Sequence, residues 1–212
     1  QSTSDKARLH ALYVLEALNA LNAGTVKKAM QDASRGVRRN AAILAERYPD
    51  CYNDLIALSK DPSAKVVLQS VLSLGEFKAK NNTPVFIDVL GRYGYDRNFQ
   101  MAVLSTDAGS SPQFLKAVLE SPVGANTSKP WNDFVTDLCY VIGARNNKAQ
   151  VKNLMELTNV ATMKPREGVI LKGLRRGLEN SPNVDATLKA RAKDWSKLES
   201  PALKDSLIKN FK

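Results

Sequence analysis

The segments Asp32-Ala-Ser-Arg-Gly-Val-Arg-Arg-Asn-Ala-Ala-Ile-Leu-Ala-Glu46 and Asp61-Pro-Ser-Ala-Lys-Val-Val-Leu-Gln-Ser-Val-Leu-Ser-Leu-Gly75 are two copies of one pattern. Asp32 aligns with Asp61, Ser34 with Ser63 and Val37 with Val66, at an offset of 29 residues. A looser copy starts at Asp96 and runs through Arg97, Asn98 and Phe99 to Met101-Ala-Val-Leu-Ser105. In the second copy Val66, Val67, Ser70, Val71, Leu74 and Phe77 recur at the helical period, and in the first Val37, Ala41, Leu44 and Tyr48 do the same. Each copy therefore predicts an amphipathic helix with one apolar face. Second helices fall between the copies, over 52–60 with Leu55, Ile56 and Leu58 and over 84–93 with Val85, Phe86, Val89 and Leu90. No segment keeps apolar and polar residues alternating for long, which disfavours strands.

A helix pair repeated at this spacing cannot bury its apolar face alone, but stacked copies share one continuous core. The expected fold class is all-α, an alpha-alpha solenoid of about six helix pairs in a single repeat domain over 1–212, with an irregularity at 121–130. The expected helices cover about 5–19, 25–31, 34–47, 51–60, 63–78, 83–92, 97–106, 111–120, 131–145, 148–160, 165–179 and 184–197, with a last one near 201–211. Asp61-Pro62, Thr83-Pro84, Ser111-Pro112 and Ser200-Pro201 each place a capping side chain before a proline. The cap oxygen takes an orphan N–H, and proline has none to lose at the first helical position. Gly75 and Gly143 fall late in their helices, where a small residue lets a neighbour approach closely.

Composition narrows the chemistry. The 212 residues carry 31 Lys+Arg against 21 Asp+Glu, a net charge of +10, with 43% hydrophobic and 25% charged residues. That balance is ordinary for a folded domain and excludes wholesale disorder, and no apolar run is long enough for a membrane span. A single histidine, His10, with two cysteines, Cys51 and Cys139, does not make a zinc site of the common kinds. No Gly-x-Ser-x-Gly, Gly-x-Gly-x-x-Gly or Walker-type loop occurs, so neither a hydrolase triad nor nucleotide binding has motif support. A chain that starts Gln1-Ser2-Thr3 is read as a processed or excised piece, so the compartment stays open.

The short Asp-x-Ser turn followed by Val-Arg resembles the HEAT-repeat signature, and 32–46 fits it well. A narrower likeness joins Ala7-Arg-Leu-His-Ala-Leu-Tyr-Val-Leu-Glu-Ala-Leu18, the Asp-x-Ser-x-x-Val-Arg copy and Met101-Ala-Val-Leu-Ser105. In that order they resemble the HEAT segment of large bacterial extracytoplasmic proteins, which carry a dehydrogenase-like propeller before the repeats and a c-type haem domain after them. The resemblance implies the middle module of a haem-containing redox protein, in a periplasmic or extracytoplasmic setting. The chain departs from the whole pattern, having no propeller and no Cys-x-x-Cys-His. Dehydrogenase or electron-transfer activity would then lie outside these residues, and no catalytic, cofactor or metal residue is expected within them.

The candidate binding residues are basic. Arg35, Arg38 and Arg39 cluster at one turn; Lys164, Arg166, Lys172, Arg175 and Arg176 lead into Lys189, Arg191, Lys193 and Lys197. From these, Arg35, Arg38, Arg39, Arg175, Arg176, Lys189 and Lys193 are expected to serve binding rather than folding, because exposed charges contribute little to stability. The expected partner is a protein or a neighbouring domain of a parent chain, bound by a non-enzymatic scaffold. The alternative is a basic nucleic-acid-binding solenoid similar to the HEAT-like DNA glycosylases. The charge supports that alternative, and the lack of aromatic residues among the cations weakens it. Trp131 and Trp195 are expected to pack rather than stack on bases, His10 to be packed in the first repeat, Cys51 and Cys139 to be free thiols, and Asp32, Asp50, Asp61 and Asp96 to serve helix starts.

Overall fold

The computed structural model describes residues 3–181. The helices expected over 184–197 and 201–211, the Ser200-Pro201 cap, Lys189, Lys193 and Trp195 lie outside the described residues. Among the described residues every regular element is helical, and no helix is long and apolar enough to cross a membrane. The chain divides into two compact units, Gln1–Thr106 and Asp107–Lys212.

The first unit holds α1 (Asp5–Ala17), α2 (Ala23–Met30), α3 (Arg35–Ala45), α4 (Tyr52–Leu58), α5 (Ala64–Gly75), α6 (Thr83–Tyr93) and α7 (Arg97–Leu104). These bounds follow the apolar stripes read from sequence to within a few residues. α1 packs on α3, α3 on α5 and α5 on α7, while α2 packs on α3, α4 on α5 and α6 on α7. The stripes supply the core: Val37, Ala41, Ala42, Leu44 and Ala45 of α3 and Val66, Val67, Val71 and Leu74 of α5 are all buried. Leu74 is fully enclosed, so Leu74→Ala is expected to cost about 2–5 kcal/mol in urea unfolding, the range for truncating a buried leucine. A loss below about half a kcal/mol, the scale of exposed positions, would place the core on another face.

The helix starts differ in detail from expectation. Ser111 does cap its helix, its Oγ accepting from the Phe114 amide at 3.1 Å with Pro112 following. At 61–64, however, Ser63 is the cap and Asp61 sits two residues earlier, accepting from the Ser63 amide at 2.8 Å. At 82–84 the cap is Asn82, whose Nδ2 donates to the Leu74 carbonyl at 2.8 Å and ties the start of α6 to the end of α5. In α6 Pro84 stands at the second helical position, where the N–H is also unpaired in the first turn, whereas Pro62 precedes the Ser63 cap and lies outside α5.

The second unit holds α8 (Pro112–Glu120), α9 (Lys129–Arg145), α10 (Lys148–Leu157) and α11 (Glu167–Glu179), with one-turn helices at Ala108–Ser110, Pro122–Ala125 and Lys164–Arg166. Its core gathers Trp131, Phe134, Leu138 and Ile142 of α9 with Leu154, Met155, Ile170 and Leu174. Trp131 lies 5.2 Å from Phe134 between ring centroids, a packing role as expected. α9 and α11 cross at their glycines. A Cβ on Gly143 would stand 2.5 Å from the Leu174 carbonyl oxygen, and one on Gly173 or Gly177 would strike the Thr136 or Tyr140 carbonyl oxygen. Backbones approach this closely only where side chains are absent from both faces.

Candidate functional site

The Asp-x-Ser turns build an ion-pair ladder. Arg8, on α1, donates through Nε and Nη2 to both oxygens of Asp32, each at 2.7 Å. Arg38, on α3, does the same to Asp61, at 2.6 and 2.9 Å. Each aspartate also accepts from the serine amide two residues on, at 2.8 Å. One carboxylate thus shapes the turn entering a helix and takes a bidentate arginine from the preceding copy. The Arg38 and Asp61 side chains are only 14% and 4% exposed. Arg38 further donates to the Asp32 and Ala33 carbonyls at 2.7 and 3.0 Å, which links two successive turns. In the second copy Val67 stands where Arg38 stands in the first, and Asp96, at the start of the third, caps α7 by accepting from the Asn98 amide at 2.8 Å. Other contacts keep the same one-copy stride: Tyr13 donates to Asn40 Oδ1 at 2.7 Å, Tyr48 to the Leu21 carbonyl at 2.9 Å, and Ser73 to Glu46 Oε1 at 2.7 Å.

The ladder carries a pH dependence. The hydrogen bond from Arg8 holds the Asp32 carboxyl below the usual carboxylate range. Burial pushes the Asp61 carboxyl up, but Arg38 and the Ser63 amide outweigh it and leave it lowered as well. A carboxyl lowered on folding stabilises above its unfolded pKa, and that stability is lost as pH falls through the folded value. Thermal melts are expected to be flat near neutrality and to fall steeply below about pH 4. The Asp32→Asn/Asp61→Asn double variant should be less stable at neutrality and lose less on acidification. An acid slope equal to wild type would remove the ladder as its source.

The sequence-derived basic residues separate. Arg35 and Arg39 are exposed on α3, whereas Arg38 is half-buried in the ladder, which corrects its expected exposure. Arg175 lies 3.8 Å from Glu179, and Arg176 is exposed with its guanidinium 5.9 Å from the Tyr140 ring centre. Arg166, read from sequence as part of the basic cluster, is buried. It donates to Asn132 Oδ1 at 2.6 Å and to the Gly124 and Asn126 carbonyls at 2.9 and 2.5 Å, so it clamps the 121–130 irregularity onto α9. Burial lowers its pKa, and these neutral acceptors replace the lost water.

His10 is exposed on α1 rather than packed, because the buried face of that helix runs through Leu12 and not through the His10, Val14 and Ala17 stripe. Cys51 and Cys139 are buried free thiols. Burial pushes the Cys139 thiol far above the range in which a thiolate forms at neutrality. Among the described residues no group of three or more His, Cys, Asp or Glu is placed to hold a metal ion. A cavity of about 230 Å³ opens between α1, α2 and α3, lined by Ala7, Ala11, Leu12, Leu15, Ala29 and Val37, with the Arg8–Asp32 pair in its wall.

The sequence reading missed the ladder, although its signal was present. Arg8 and Arg38 occupy matching places 24 and 23 residues ahead of Asp32 and Asp61. No protein-family model matches the chain, and no match is found among curated proteins or solved structures.

Proposed function

We propose that this chain is a non-enzymatic scaffold, a HEAT-type alpha solenoid that binds another protein or another domain of its parent chain. The observation that carries the reading is the repeated lock of Arg8 to Asp32 and Arg38 to Asp61. A device that occurs at two successive turns and ties neighbouring helix pairs together there suits a stacked array, whose function is the extended surface it presents. Arg35 and Arg39, exposed beside the lock, supply positive potential for an acidic partner surface. The likeness to the repeat segment of haem-containing dehydrogenase-like proteins supports placement as the middle module of a redox protein, with the redox chemistry in other domains.

Titration of a fluorescent random-sequence DNA duplex over a salt series tests the scaffold reading against its nucleic-acid alternative. Weak binding is expected; sub-micromolar binding that falls steeply with salt overturns the scaffold in favour of a phosphate-tracking surface. Sequencing the full reading frame tests the redox placement, which requires a Cys-x-x-Cys-His motif downstream.

A further inference from the structure

We propose that the surface shared by α3, α5 and α7 holds an acidic amphipathic peptide segment of the partner. Its apolar side chains lie on Leu72 and Met101, and its carboxylates meet Arg39 and Lys65. This inference rests on the scaffold reading and names the chemistry of what the scaffold binds.

α3 packs on α5 and α5 on α7, so matching positions of the three helices are neighbours on one surface. At the offset of 29 residues Ile43 matches Leu72 and Arg39 matches Leu68. Leu68 and Met101 match in turn, each being the fifth residue of its helix. Leu72 is 39% and Met101 46% exposed, with Ile43 and Leu68 half-buried beside them. The polar side chains of α5 nearby are spent inside: Gln69 donates to Ser73 Oγ at 3.3 Å, and Ser73 donates to Glu46 at 2.7 Å. An aliphatic band is left facing water. α1 also packs on α3, so the band lies within the row of helices.

Charge complementarity selects the occupant. Arg35, Arg39 and Lys65 are exposed, and no carboxylate among the described residues pairs with any of them. Arg35 is the first residue of α3 and Lys65 the second of α5, and neither helix has an acid in its first turn. A cation there opposes the helix dipole; folding does not account for the placement, and a bound anion does. The acids of the two helices, Glu46 and Glu76, stand at the opposite ends, so the partner's carboxylates are directed to the helix starts. An aliphatic band gives nucleic-acid bases no ring to stack on, and a second copy, itself at +10, is repelled. Packed helices lie about 8–10 Å apart, so the three are crossed by roughly six extended residues.

Fluorescence anisotropy of the full chain tests this with a labelled peptide of about twelve residues, long enough to overhang both edges. It carries Leu or Phe at every third position and Glu or Asp elsewhere. Poly-glutamate and oligo-dT of similar length are measured beside it. The expected Kd for the amphipathic peptide is on the order of 10 μM, in keeping with a small contact, and about tenfold weaker for poly-glutamate. Leu72→Asn and Met101→Asn should each weaken the amphipathic peptide about tenfold and leave poly-glutamate unchanged, with circular dichroism reporting the intact fold. Arg39→Gln/Lys65→Gln, both at exposed positions, should weaken both peptides and flatten their salt dependence. Equal affinity for the two peptides, indifference to Leu72→Asn, or no binding at millimolar protein overturns the proposal and leaves the scaffold reading standing. Sub-micromolar oligo-dT binding that displaces the peptide overturns both.

Discussion

Arg38→Glu is expected to destabilise the first unit by about 3–5 kcal/mol, the cost of breaking a buried ion pair from one side. Its neighbour Arg39→Glu should stay within about half a kcal/mol. The difference is geometric. The Asp61 carboxylate, 4% exposed, would lose both guanidinium bonds and face a second carboxylate. The Asp32 and Ala33 carbonyls would lose their donor at the same time. Arg39 is exposed and has no such commitment. Paired urea titrations of the two variants measure the contrast. Arg38→Glu combined with Asp61→Arg should recover part of the loss, as a restored pair does in a double-mutant cycle. Equal stability of the two single variants would show that the ladder contributes nothing.

Gly173→Leu should unfold the second unit or weaken it by several kcal/mol, at or beyond the upper end of overpacking costs of about 1–3 kcal/mol. Alanine normally stabilises a helix over glycine by up to about 1 kcal/mol. At Gly173 that sign reverses, because even one Cβ meets the Thr136 carbonyl oxygen and lies 2.8 Å from the Cys139 Cβ. The backbone of α9 would have to move away from α11. At Gly168, on the same helix, a Cβ would meet nothing within 4 Å. Gly168→Ala is therefore the control and should be neutral or slightly stabilising. Thermal melts that rank Gly168→Ala above wild type and Gly173→Ala below it establish the close crossing; the reverse order removes it.

Most of the helical content was legible in the chain itself. The stripe from Val66 to Leu74 repeats at the helical period, and such a pattern has one consistent solution, a helix with that side buried. The eleven described helices arise in the order the stripes and caps predict. The internal copy at an offset of 29 residues implied contacts between neighbouring copies, and the Tyr13–Asn40 and Tyr48–Leu21 hydrogen bonds, each spanning 27 residues, join neighbouring helix pairs.

Side-chain partners were not legible, because a residue's type does not say which neighbour it meets. Arg35, Arg38 and Arg39 look alike in sequence, yet they project 100° apart per residue around α3, so only Arg38 reaches the next turn. Arg166 reads as one more surface cation and is a buried clamp, since only folding brings the Gly124 and Asn126 carbonyls to it. His10, Val14 and Ala17 form a stripe at the helical period that the pattern alone would place inside, and all three are exposed. The period of a stripe fixes that its members share a face, and the positions of the neighbouring helices decide whether that face is covered. The sequence by itself thus determined where the helices form and that copies recur. The tertiary structure alone decided which charges lock the copies together and which apolar face of α1 stays exposed.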